Sequence, residues 1–267
     1  MRASEPVAAA VQRTESRFDR QLGVTGIGGA EQQKLRDATV LVAGVGGVGG
    51  AAATYLAAAG VGRLVLVHPG ELELPDLNRQ TLMTPAAIGL PRVHTAAETL
   101  RRHFPDVEIV AHDVAVADPA VPDLVAGAQV LVDARHNFPE RYLLNRLCRE
   151  AAIPSVVAAM DDTALQLMTC EPGSACWRCV FPAPDPAWEP LGFRVLGAIA
   201  GTAGCLAAAE AVKVLTGAGS VLRGRLLTAD LWEMTFRPVP VRPAPDCPDC
   251  AAGRDAAARR DDAAVAG

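Results

Sequence analysis

The sequence predicts an α/β protein with a mostly parallel sheet covered by helices on both faces, followed by a mixed or antiparallel C-terminal extension. Three observations carry this. Short apolar runs alternate with helical stretches from residue 39 to residue 159, a glycine-rich turn (Gly44-Val-Gly46-Gly47-Val-Gly49) links the first run to the first helix, and two Cys-x-x-Cys pairs, Cys176/Cys179 and Cys247/Cys250, flank the extension.

Residues 1–16 are Ala-rich and polar without periodicity and read as a flexible leader. RFDRQ at 17–21 opens an arm leading into a helix before the first strand. TVLVA at 39–43 is a buried strand, the glycine turn follows, and 51–59 is a small-residue helix stopped by Gly60. A strand at 63–67 completes a βαβ unit. A helix at 92–103, strands at 107–112 and 129–133, a helix at 139–150 and a strand at 155–159 continue the alternation that parallel sheets require. Beyond Thr163 the order changes: strands at 164–170 and 224–237 are separated by a long helix, 195–216, which Gly217 terminates. Residues 17–250 read as one unit, and 251–267, rich in Ala, Asp and Arg, as a disordered tail.

Net charge is −5 with a pI near 5.6, so no basic field draws the 267-residue chain to nucleic acid or an anionic membrane. Apolar segments such as 38–45 and 195–200 are short and interrupted, and no secretory pattern opens the chain, which predicts a cytoplasmic protein with no membrane association. Seven cysteines, four in metal-like pairs and Cys148, Cys170 and Cys205 as small buried hydrophobes, fit a reducing compartment.

In the glycine turn, Gly44 permits the tight bend, Gly46 lets backbone approach a phosphate, and Gly49 allows close packing of helix on strand, with Gly47 a further nucleotide-binding candidate. The helix N-terminus offers unpaired N–H donors to an anion. A tight connection with no ligand is the alternative. A dinucleotide site has an acid at the end of the second strand, and His68 stands there instead, which disfavours NAD. The four paired thiols can fill the tetrahedral sphere of zinc and leave no open position, so the metal is structural. A redox Cys-x-x-Cys needs only one pair.

RFDRQ at 17–21, GVGGVGG at 44–50, DLNRQTL at 76–82, GLPRV at 89–93, CWRC at 176–179, EAVKVLTG at 210–217 and CPDC at 247–250 together resemble the successive landmarks of the ThiF/MoeB/HesA family, bacterial relatives of ubiquitin-activating enzymes. The resemblance implies a Rossmann-like, usually dimeric domain that binds ATP and magnesium. It implies adenylation of a C-terminal carboxylate, commonly on a small ubiquitin-like sulfur-carrier protein. Carried over by position, Arg79 and the other protomer's Arg20 contact phosphates, with Asn78 and Gln80 flanking Arg79.

This chain departs from the family pattern at four positions. The ribose-binding acid falls on His68, a phosphate-side asparagine on Asp76, the phosphate-binding lysine on Arg92, and the magnesium-associated aspartate on His136, leaving Asp133 as the nearby carboxylate. Arg92 keeps the charge. Imidazole is a poor magnesium ligand, His68 cannot accept two ribose hydroxyls, and Asp76 adds negative charge beside a triphosphate. Residues 188–193 also lack the cysteine some members use for thioester or persulfide chemistry. Three functions follow: an adenylyltransferase acting on a carrier protein or peptide C-terminus as a homodimer, a degenerate subunit forming a heterodimer with an active relative, and, weakest, an NAD-dependent oxidoreductase.

Overall fold

The structure, a computed structural model, describes residues 16–185 and 194–250. The leader before Ser16, the cysteine-free stretch 188–193 and the tail 251–267 lie outside the described residues.

One eight-stranded sheet organises the chain. Helix α1 (Gly29–Asp37) leads into β1 (Thr39–Ala43), α2 (Gly47–Ala59) and β2 (Arg63–Val67). There follow α3 (Arg92–His103), β3 (Glu108–His112), α4 (Val121–Ala126), β4 (Val130–Asp133), α5 (Phe138–Ala151) and β5 (Ser155–Asp161). The extension contributes β6 (Ala164–Cys170), α6 (Trp177–Val180), α7 (Gly197–Thr216), β7 (Arg225–Asp230) and β8 (Thr235–Pro240). The strand order is β3-β2-β1-β4-β5-β6-β7-β8, parallel from β3 through β5 and antiparallel beyond. The chain leaves β1 toward β2 on one side, while β4 pairs on the other. That reversal opens a crevice at the strands' C-terminal ends, the usual ligand position in open α/β sheets.

The central strands are apolar along their whole length because helices cover both faces: Val40, Leu41, Val42, Leu64, Leu66, Val130, Leu131 and Val132 have no exposed surface. Burying each side chain contributes about 1.5–3 kcal/mol. The abundance of alanine is explained by the packing of α2 on α7. A Cβ on Gly204 would lie 2.2 Å from the Val48 carbonyl oxygen, and Ala52, Ala53, Ala207, Ala208 and Ala211 are buried.

Three sequence expectations change. Helix α2 starts at Gly47, four residues earlier than its propensity implies, because the turn's own glycines form its first turn. The 224–237 run is a hairpin of two strands, its turn held by Trp232 and Glu233 N–H groups donating to Asp230 Oδ1. Cys148 and Cys170 are buried as expected, whereas Cys205 is exposed, since it lies on the side of α7 turned away from Ala203 and Ala207. Helix α7 is long and apolar enough, by length and composition, to cross a membrane. Here it packs against α2, β5 and β6 and buries Glu210, which accepts from Thr169 Oγ1 and the Leu222 N–H.

Candidate functional site

The glycine turn lies at the mouth of the crevice. Gly44 adopts a φ of +97°, and a Cβ there would sit 2.8 Å from the Ala134 carbonyl oxygen after β4. A Cβ on Gly49 would lie 1.7 Å from the Gly44 carbonyl oxygen, so this helix turn can rest on the bend only without a side chain. Gly46 faces open space, its nearest neighbour being Gln80 Nε2 at 3.8 Å from a Cβ position. No side chain caps α2, which leaves its first-turn N–H groups directed at the crevice.

The segment carrying Asn78, Arg79 and Gln80 folds over this turn. A Cβ on Gly47 would meet Arg79 Cγ at 3.1 Å, and Asn78 Nδ2 donates to the Val195 carbonyl at 3.1 Å. Arg79 donates to Asp76 Oδ1 at 3.0 Å, and Arg92 reaches Asp76 Oδ2 at 3.4 Å, the other Arg92 nitrogens facing the Gly70 and Glu71 carbonyls. The acid expected to repel a triphosphate is thus bracketed by two guanidinium groups, and the trio carries a net positive charge.

His68 follows β2, and its Nδ1 accepts the Val45 N–H at 2.8 Å. That bond fixes the neutral tautomer with the proton on Nε2, so the position presents a donor where an acid would present two acceptors. Burial first, then the charges of Arg135 and Arg92, hold the ring well below the ordinary imidazole range. Asp133 ends β4 with 2% of its surface exposed; Oδ1 accepts the Arg135 N–H at 2.9 Å and Oδ2 lies 3.6 Å from Arg141 Nη1. His136 is exposed at the rim, held below its usual range by desolvation and by Arg135. Arg135 donates to both oxygens of Glu140, whose own N–H is capped by Asn137. Arg135 and Arg141 are absent from the sequence-derived site. No motif marks them, and their place depends on β4 lying beside β1.

Magnesium does not fit these side chains. The one buried carboxylate at the end of β4 is taken by Arg141 and a backbone N–H, and the neighbouring position is an imidazole.

A cavity of about 600 Å³ starts at Arg135 and His136 and runs past Phe138, Met160 and Gln166 to Trp177. Trp177 sits inside the first cysteine pair. The four thiols lie within 4.8 Å of one another, with neighbouring sulfurs 3.5–3.8 Å apart. Zinc–sulfur bonds of about 2.3 Å in a tetrahedron require sulfurs about 3.8 Å apart, so zinc fits. Asn145 on α5 donates to Asp249 Oδ2 at 2.6 Å and lies 3.4 Å from Cys176 Sγ, and the Ala244 N–H donates to Cys179 Sγ. Sequence reading missed this link, although an acid between two cysteines was its visible trace.

Arg20 stands apart from the other candidates. Phe18 packs against Gly60 at the far end of α2, and Arg17 donates to the Ala57 and Ala58 carbonyls. The helix between is about 20 Å long at 1.5 Å per residue.

The family model for ThiF matches residues 18–249. The chain belongs to the ThiF family. Protein HesA, heterocyst, of Trichormus variabilis is 48% identical over 242 residues, 90% of this chain and 89% of the relative. The SAMP-activating enzyme E1 of Haloferax volcanii is 42% identical over 240 residues, 89% of each. Among solved structures, E. coli MccB with MccA-N7isoASN superposes with a TM-score of 0.78 at 21% identity, covering 88% of this chain and 75% of that one. That likeness agrees with the α/β fold described above.

Proposed function

We propose that this chain is an ATP-dependent adenylyltransferase that joins AMP to the C-terminal carboxylate of a small ubiquitin-like sulfur carrier or a peptide. The observation that carries the reading is the Asn78-Arg79-Gln80 segment lying on an uncapped, glycine-lined helix N-terminus. The α2 N–H groups, with Gly44, Gly46, Gly47 and Gly49 keeping the approach clear, cradle the phosphates. Arg79 and Arg92 offset their charge, and His68 donates to a ribose oxygen. A carboxylate oxygen of the acceptor attacks the α-phosphorus, the bond to the oxygen bridging to the β-phosphorus breaks, and pyrophosphate departs with that electron pair. The attacking group is already ionised, so no proton need be removed. The protein's work is positioning and charge stabilisation.

The cavity leading to Trp177 takes the acceptor's C-terminal residues, and the four-thiolate zinc holds its far wall without entering the chemistry. Arg20 completes the phosphate site of a second copy in a homodimer, since its own site lies a helix length away. The relatives' names support the acceptor class: one is a SAMP-activating E1, and MccB was solved with MccA-N7isoASN and with ATP. Acceptor-dependent exchange of labelled pyrophosphate into ATP is the test, and absence of exchange with every ubiquitin-like or peptide acceptor tried would defeat the enzyme reading. His136 in place of an acid favours a second reading, a degenerate subunit in a heterodimer with an active relative. Copurification with such a relative, without nucleotide binding, would establish it.

A further inference from the structure

We propose that this chain binds its nucleotide as the metal-free polyanion, with guanidinium groups supplying the positive charge that magnesium supplies elsewhere. The proposal rests on the nucleotide reading above and concerns the chemical form of the ligand.

Magnesium takes near-octahedral oxygen ligands, and in nucleotide sites one or two protein carboxylates usually help the phosphates hold it. Among the described residues, Asp76, Asp133 and Glu140 lie beside the glycine turn and the end of β4, and each is already engaged. Asp76 receives Arg79 at 3.0 Å on one oxygen; its other oxygen accepts the Glu73 N–H at 3.0 Å and lies 3.4 Å from Arg92. Asp133 is shut in by the Arg135 N–H and Arg141, which itself donates to the Ala158 carbonyl at 2.9 Å. Glu140 receives the Arg135 guanidinium on both oxygens.

The two positions where further oxygens would stand are imidazoles. His68 has its acceptor nitrogen committed to Val45 and can only donate, and His136 is a nitrogen ligand, ill suited to a hard cation. Four guanidinium groups (Arg79, Arg92, Arg135, Arg141) therefore face three carboxylates. A divalent cation approaching this rim meets surplus positive charge, and a triphosphate meets the field it needs. Releasing one carboxylate to magnesium would leave its guanidinium without a counter-charge.

The test is equilibrium dialysis of labelled ATP against the full, zinc-loaded chain. Magnesium is removed on a chelating resin and then titrated back, because soluble EDTA would extract zinc from the thiolates. ATP affinity is expected to weaken by more than about threefold as magnesium rises, because the cation draws free ATP into its own complex; affinity that holds or tightens overturns the proposal. Failure to bind ATP at any magnesium level would instead defeat the nucleotide reading, and this proposal with it. His136→Asp restores an oxygen ligand and is expected to make binding tighten about tenfold with magnesium. A His136→Asp chain whose binding still weakens as magnesium rises would overturn the part assigned to that position.

Discussion

His68 closes β2 with Nδ1 accepting the Val45 N–H, a bond that requires the ring to be unprotonated. Burial holds the folded-state pKa well below the ordinary 6.5, so between the two values the unfolded chain carries a proton that the folded chain does not. Stability is then lost as pH falls from about 6.5, at up to about 1.4 kcal/mol per pH unit for this one group. His136 and Asp133 also titrate abnormally, so the informative quantity is a difference. Urea unfolding from pH 7 to pH 5 is expected to be steeper in pH for the native chain than for His68→Asn, and equal slopes would remove His68 as the cause. The turn glycines divide into two kinds. Gly49→Ala forces a carbon against the Gly44 carbonyl and is expected to cost about 3 kcal/mol in chemical unfolding. Gly46→Ala has room, so stability within about 0.5 kcal/mol of native and weakened ATP binding are expected. Both glycines were legible in the sequence because a turn between strand and helix fixes which residues lack space. Arg135 and Arg141 were not, because only the pairing of β4 with β1 brings Arg135 against the turn and Arg141 against Asp133.

At the scale of elements, the four-cysteine cluster and α5 form one unit. Asn145 ties a buried helix position to Asp249 and Cys176, so Asn145→Ala should lower zinc affinity about 10–100-fold while leaving all four thiols in place. Competition with a chromogenic zinc indicator measures it, and unchanged affinity would show that the Asn145 contacts do not tune the metal. Elemental analysis should find one zinc per chain in the native protein and none in Cys247→Ser. The order of strands and helices through β6 was legible from hydrophobic alternation. Helix α4 was not, being six residues long with proline near its start, and the end of β7 was obscured because its turn relies on Asp230 side-chain bonds where a glycine would have signalled a break.

At the scale of the whole molecule, the arm carrying Arg20 is anchored by Phe18 at the opposite end of α2 from the turn. If Arg20 serves a second copy, Arg20→Ala and Arg79→Ala chains mixed after dissociation should regain roughly a quarter of native exchange activity, since half the dimers carry one intact site. No recovery would place Arg20 outside the site. The arm's motif was readable in one dimension, while its distance from the chain's own turn needed three. Cys176 and Cys247 stand 71 residues apart, and the chain between them includes β7, β8 and α7. A complete four-sulfur set therefore exists only once that long excursion has returned to the sheet, so an ion held by all four thiolates would be captured late in biogenesis. Chains synthesised under zinc starvation should accumulate with protease-sensitive C-terminal thirds, and supplying the ion afterwards should rescue them without new translation.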